Sequence, residues 1–215
     1  MKTVLVVGLG RFGRHVIEKM TSLKYQVMAI DKDEERVNHI LPFVTNAQIG
    51  DSTDEDFMKT VGVRNFDLCI VAIGDDFQSS LETTCLIKEL GAPMVVARAS
   101  RDVQVKFLLR NGADDVVYPE KQMAEWTAIR YSSDHIVNYV QLESGFDIFE
   151  LELPDSWIDK TIGELDVRKK LGLNILGIRE NGKIDMDMTP GIVFKRGMTV
   201  LILGRTEKVK KYFHI

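Results

Sequence analysis

Three glycines, Gly8, Gly10 and Gly13, sit in the stretch "VLVVGLGRFGRHVIEKM" at the G-x-G-x-x-G spacing. That spacing suits a backbone loop that closes on a pyrophosphate. In such a loop the first glycine makes the turn, the second lets the ligand approach, and the third lets the following helix pack closely. Leu9, Arg11 and Phe12 occupy the variable places, so the second glycine is followed directly by a fixed positive charge. An arginine there adds a charge-assisted contact of about 1.5–3 kcal/mol to a phosphate oxygen. The two shared phosphates of a redox dinucleotide are already balanced by loop and helix, so Arg11 suits a ligand that ends in unesterified phosphate oxygens.

Other candidates follow the loop at intervals. Asp31, which ends the apolar run "QVMAID" about 20 residues on, is placed to accept from both ribose hydroxyls, with Lys32 beside it. Asp51 and Ser52 in "GDSTDED" reach the adenine amino group or, as Ser52 or Thr53, cap the next helix. Ala72, Ile73 and Gly74 in "AIGDD" close another apolar run and line the base or ribose. Arg98 in "MVVARAS" either reaches the phosphate end or serves as a capping or surface arginine.

The elements that must carry these residues are legible as alternation. "TVLVVG", "QVMAID", "AQIGD", "DLCIVAIG", "MVVARA" and "DDVVYP" read as six strands separated by five helical stretches. Near-continuous apolar runs are what strands covered on both faces require, so the expected fold is a Rossmann-like, doubly wound parallel sheet. Pro119 suits the first turn of a helix over "EKQMAEWTAIRY", and a second helix is expected over "SSDHIVNYVQL", after a break at "SSD". Their apolar stripes suit either their own core or a partner. From Phe146 onward, short strands in "FDIFELELP", "NILGIREN", "GIVF" and "MTVLILG" and helices in "IGELDVRKKLGL" and "EKVKKYFH" make a small α+β domain. The expected divisions are 1–118, 119–142 and 143–215.

Composition narrows the function. Lys+Arg 28 against Asp+Glu 32 gives a net charge of −4, and no long basic run offers a nucleic-acid face. The apolar runs fall short of the roughly 18–20 residues of a spanning helix, and neither a leader nor an anchor is expected. Cys69 and Cys85 read as small packed residues of a reducing cytosol, and the four histidines are scattered without metal-ligand spacing. There is no G-x-S-x-G and no Lys-Ser/Thr of a hydrolysing phosphate loop. A dehydrogenase would need a second half bearing a proton donor, and none is evident beyond Tyr118.

"VVGLGRFG", "AID", "NFDLCIVAIGDD", "LLRNGADDVVYPEKQMA" and "DKTIGELDVRKKLGLNILGI" together resemble, over essentially the whole chain, one known family. It is the cytosolic RCK (regulator of potassium conductance) subunits of Ktr and Trk potassium uptake systems, with the Ktr type the nearer. The resemblance implies a Rossmann-like domain, two crossover helices that pair subunits, and a C-terminal domain that also dimerises. Dimers would form an octameric ring under a membrane channel subunit at the inner face of the cell membrane. ATP and ADP would exchange in the N-terminal site and reshape the ring, without catalysis. On this likeness Arg11 reaches the terminal phosphate, Asp31 the ribose and Asp51 the adenine. Arg98 lies near the phosphates, and Glu120 in "YPEKQ" helps hold a cation near the dimer interface. Some members bind cyclic di-AMP in the C-terminal domain, and Ile162, Asp166, Arg168, Asn174, Ile175 and Pro190 match that pocket. Gly163 departs from it, standing where a second bulky aliphatic residue often lies. The alternatives are an NAD(H)-binding regulator of the same build, a small NAD-dependent oxidoreductase, and an assembly scaffold with a structural nucleotide.

Overall fold

A computed structural model describes residues 2–142 and 144–215. The chain divides into two compact units, Met1–Lys121 and Gln122–Ile215. In the first, strands β1 (Thr3–Val7), β2 (Gln26–Asp31), β3 (Asn46–Ile49), β4 (Leu68–Val71), β5 (Val95–Arg98) and β6 (Asp115–Val117) alternate with helices. These are α1 (Arg11–Ser22), α2 (Glu34–Ile40), α3 (Glu55–Val61), α4 (Phe77–Glu89) and α5 (Asp102–Arg110). Every strand pair is parallel, in the order β3-β2-β1-β4-β5-β6. The six strands and five helices are those expected from the alternation.

Strand β1 shows why its sequence reads as an unbroken apolar run. Leu5 and Val7 enter one core cluster, while Val4 and Val6 enter another on the opposite side of the sheet. With side chains alternating between faces and helices covering both, the interior of a central strand leaves no position for a polar residue, and Thr3 stands at its end. The strand order reverses between β1 and β4, so the loops that follow these two strands part and leave a crevice at their C-terminal ends.

The departures from expectation begin beyond β6. Helix α6 (Pro119–Arg130) starts on its proline as anticipated, but the segment expected as a second crossover helix is strand β7 (Ile136–Gln141). It pairs antiparallel with β8 (Phe146–Glu152), and the register shifts between Ile136 and Asn138. That bulge turns Ile136 and Tyr139, three residues apart, toward the same core, so the strand carries a helix-like spacing. Its β-branched and aromatic residues, and a length of only six, are what favour the ladder. Trp126 Nε1 donates to Tyr139 O at 2.9 Å and Arg130 donates to Ile136 O, which pins α6 along the new strand.

Helices α7 (Ile162–Leu165) and α8 (Val167–Leu171) replace the single helix expected there. Asp166 breaks it by adopting a left-handed conformation at φ 45°. Strand β9 (Asn174–Glu180) turns through Asn181 and Gly182, both at positive φ, into the short strand β10 (Lys183–Asp185), which the sequence reading missed beyond its turn. "GIVF" forms only a single bridge, Val193 with Thr161, rather than a strand. Strand β11 (Thr199–Arg205) and helix α9 (Thr206–Phe213) end the chain. The antiparallel sheet runs β10-β9-β11-β8-β7 over a core led by Trp157, Phe149 and Phe194.

Candidate nucleotide site

The loop between β1 and α1 is fixed by close approach. Gly8 has φ +94°, and a Cβ there would lie 2.9 Å from Ile73 N, so the β4 loop crosses directly against it. A Cβ on Gly13 would fall 2.0 Å from Gly8 O, which brings the first turn of α1 onto the loop. Gly10 has no atom within 4 Å of its would-be Cβ and leaves the space in front of the helix open. Gly10 caps α1 without a side-chain bond, and no acid occupies the first turn. The helix therefore presents unspent N–H groups and the positive end of its dipole to that space.

At the base and ribose end, a small recess of about 60 Å³ is lined by Asp31, Lys32, Gly50, Asp51, Ser52 and Ser79 among others. Asp31 is 7% exposed, and its Oδ2 accepts from Leu9 N at 2.6 Å while Oδ1 accepts from Asp33 N at 3.0 Å. One carboxylate thus ties the glycine loop to the end of β2, and each oxygen keeps a lone pair for a ribose hydroxyl. Leu9 supplies only this N–H, since its side chain is fully buried in the core. Asp51 Oδ1 accepts from Thr53 N at 3.0 Å and Thr53 Oγ1 at 2.8 Å, which holds its carboxyl below the usual carboxylate range. Ser52 is buried, with its hydroxyl 2.8 Å from Thr83 Oγ1 on α4, so its side chain serves the scaffold. The cap of α3 is Asp54, accepting from Phe57 N, and neither Ser52 nor Thr53.

The phosphate end is a cleft of about 360 Å³. Gly8, Gly10, Arg11, Phe12, Ala72, Ile73, Gly74, Arg98 and Glu120, all singled out from sequence, line it together with Arg36 and Asp75. Arg98 neither caps a helix nor stands on the surface. Its side chain is 18% exposed, pairs with Glu120 and lies with Cζ 5.6 Å from the Phe12 ring centroid. Its Nε is buried without a hydrogen-bond partner. Gly74 makes room for it, because a Cβ there would fall 2.0 Å from Arg98 Nη1. The side chain of Arg11, the first residue of α1, makes no hydrogen bond or ion pair among the described residues. Arg36 escaped the sequence reading. The signal was available in its place on the first turn of α2, which starts beside the C-terminal end of β2 and so borders the crevice.

The residues matched to a cyclic di-AMP pocket all lie in the second unit. Ile162 and Ile175 pack on its core, Asp166 forms the joint between α7 and α8, and Arg168 and Pro190 are exposed. Gly163 N donates to Pro190 O at 2.9 Å, and a Cβ on Gly163 would meet Pro190 Cβ at 3.2 Å. Pro190 therefore occupies the room a bulkier side chain at 163 would need. A cavity of about 610 Å³ in this unit is lined by His135, Glu152, Arg196, Tyr212 and His214 among others, and by none of the six. Among the described residues no group of three or more His, Cys, Asp or Glu is arranged to hold a metal ion. No described helix is long and apolar enough to cross a membrane.

Fold and cleft define a Rossmann-like α/β domain with an open crevice at its glycine loop, joined to a small α+β domain. Residues 4–119 match the TrkA-N domain and residues 148–215 the TrkA-C domain. The chain is 34% identical over 211 residues to the Ktr system potassium uptake protein C of Bacillus subtilis (strain 168), covering 98% of this chain and 96% of that protein. It belongs to this family of potassium uptake proteins. Among solved structures it is similar to the GsuK channel bound to NAD, with TM-score 0.70, 19% identity and coverage of 96% of this chain and 38% of that one. The GsuK structure bound to ADP is similar at TM-score 0.55 and 16% identity, over 63% and 36% of the two chains. The chain spans less than half of these solved chains, and the likeness is one of fold.

Proposed function

We propose that this chain is a cytosolic, non-enzymatic regulatory subunit of a potassium transporter, which binds ATP or ADP in the β1–α1 cleft and gates a membrane subunit. The observation that carries this is Arg11, an unpaired guanidinium at the open mouth of the glycine loop. A ligand ending in free phosphate oxygens satisfies it, and a triphosphate does so better than a diphosphate. The carboxylates of Asp31 and Asp51 at the far end suit an adenosine with free ribose hydroxyls. Glu120 is proposed to help hold a cation against the terminal phosphate, which requires it to leave Arg98. ATP and ADP then favour different ring geometries, and a difference of about 1–3 kcal/mol per site is enough for useful coupling. The ring, its dimers, and a cyclic di-AMP site formed where two C-terminal units meet belong to the same proposal.

A second reading, an NAD(H)-binding regulator, is favoured by the NAD-bound relative in fold. Calorimetric titration of the purified chain with ATP, ADP and NADH separates the two. We expect ATP to bind more tightly than ADP, and Arg11→Ala to remove that preference while leaving adenosine binding unchanged. Unaltered ATP/ADP discrimination in the variant, or binding of NADH alone, would refute the gating account.

A further inference from the structure

Arg36 projects from the first turn of α2 into the phosphate end of the cleft, and neither the glycine motif nor Asp31 explains it. Its Nη1 stands 3.6 Å from Asp31 Oδ2 and its Nε 3.4 Å from Asp33 Oδ2, and the side chain is 48% exposed. Both distances exceed the usual range of a charge-assisted hydrogen bond. The two acids do not depend on it. Asp31 already accepts from Leu9 N and Asp33 N, and Asp33 Oδ1 caps α2 by accepting from Glu35 N and Arg36 N. The arginine is thus a loosely held cation, whose fork of donors is largely unspent, beside a helix N-terminus that attracts anions. Arg98, across the same cleft, is committed to Glu120 and Phe12.

We propose that Arg36 is a phosphate-binding residue, whose guanidinium leaves the two carboxylates on ligand entry and donates to the phosphate oxygens nearest the ribose. Arg11 would then read the outermost phosphate, and Arg36 those that ADP, ATP and NAD have in common. The inference rests on the nucleotide site proposed above, but not on which of these ligands resides there. The rival role for Arg36 is indirect, orienting Asp31 toward the ribose, and it makes a different prediction.

The test is calorimetry of the full chain with ADP, ATP and adenosine, on wild type, Arg36→Gln and Arg36→Lys, alongside thermal unfolding without ligand. Arg36→Gln should weaken ADP and ATP by the same factor, about tenfold or more for one lost charge-assisted contact. Adenosine should stay within about twofold, Arg36→Lys should recover most of the loss, and the ligand-free melting temperature should not move. Unchanged ADP affinity in Arg36→Gln overturns the proposal, and so does a loss for adenosine equal to that for ADP. Failure of the functional reading looks different. Wild-type protein that binds none of ATP, ADP and NADH overturns the site together with the role of Arg36. Protein that binds NADH alone overturns ATP gating, and the same variant comparison run with NADH then decides the role of Arg36.

Discussion

Arg11, Arg36 and Arg98 put one functional group into three electrostatic situations within a single cleft: unpaired, loosely held between two acids, and paired beneath an aromatic ring. The glycines around them separate function from stability in a way substitutions expose. A methyl at Gly74 meets only the flexible end of Arg98, 2.0 Å from Nη1, so Gly74→Ala displaces a guanidinium already hemmed by Phe12 and Glu120. We expect Gly74→Ala to unfold in urea within about 0.5 kcal/mol of wild type while binding ATP several-fold more weakly. Gly13→Ala instead drives a methyl to 2.0 Å from a backbone carbonyl, and should cost about 1–3 kcal/mol of stability by the same urea measurement. Equal losses in the two variants would show that Gly74 is structural. Much of this arrangement was legible, because glycine spacing and the strand-ending acid are local signals. The side chains of Leu9 and Ser52 could not be placed from their local sequence, because what fixes them is a partner far along the chain: a core cluster for one, Thr83 for the other. The exposure of a residue following a motif cannot be read from the motif.

At the scale of elements the parallel sheet was legible and the start of the second unit was not. Six buried runs admit one reading, whereas Ile136, Val137 and Val140 satisfy a helix and a bulged strand alike, and only pairing with β8 decides between them. The same sheet holds a polar cross-link that the sequence hid. Glu150 on β8 is 4% exposed and accepts from Arg179 Nε at 2.6 Å and Nη2 at 3.0 Å, and from Thr199 Oγ1 at 2.7 Å, joining β8, β9 and β11. The Arg179 bonds, with that of Thr199 adding to them, hold its carboxyl below the usual glutamate range. A carboxyl with a folded pKa below its unfolded value of about 4.3 stabilises fully above that value, and the contribution is lost as pH falls through the folded pKa. Arg179→Met leaves the buried carboxylate without its main cation and should lower stability near neutral pH. Burial then raises the pKa of Glu150, so the deficit relative to wild type should narrow on acidification from pH 7 to pH 4. Urea midpoints at the two pH values check this, and a deficit independent of pH would mean that Arg179 matters only for packing.

Over the whole molecule, each hydrophobic cluster falls within one unit or the other, two on the faces of the parallel sheet and one in the second unit, and the aromatic residues allow the two units to be followed apart. Leu5, Ile87 and Leu108 belong to a core within Met1–Lys121, whereas Trp157, Phe149 and Phe194 belong to one within Gln122–Ile215. Both tryptophans of the chain, Trp126 and Trp157, lie in the second unit, so indole fluorescence reports that unit while far-UV circular dichroism reports both. The nucleotide cleft is built entirely from residues of the first. A ligand at a hundred times its dissociation constant stabilises the unit that binds it by about 2.7 kcal/mol, which for a domain of this size moves its melting by roughly 10 °C. We therefore expect ATP to raise a transition seen by circular dichroism and to leave the fluorescence transition where it was. The C-terminal unit, whose core includes the Trp157, Phe194, Tyr212 and Phe213 ring cluster, should then unfold at a temperature of its own. If fluorescence and circular dichroism instead shift together, the two units unfold as one cooperative unit and the second has no transition of its own.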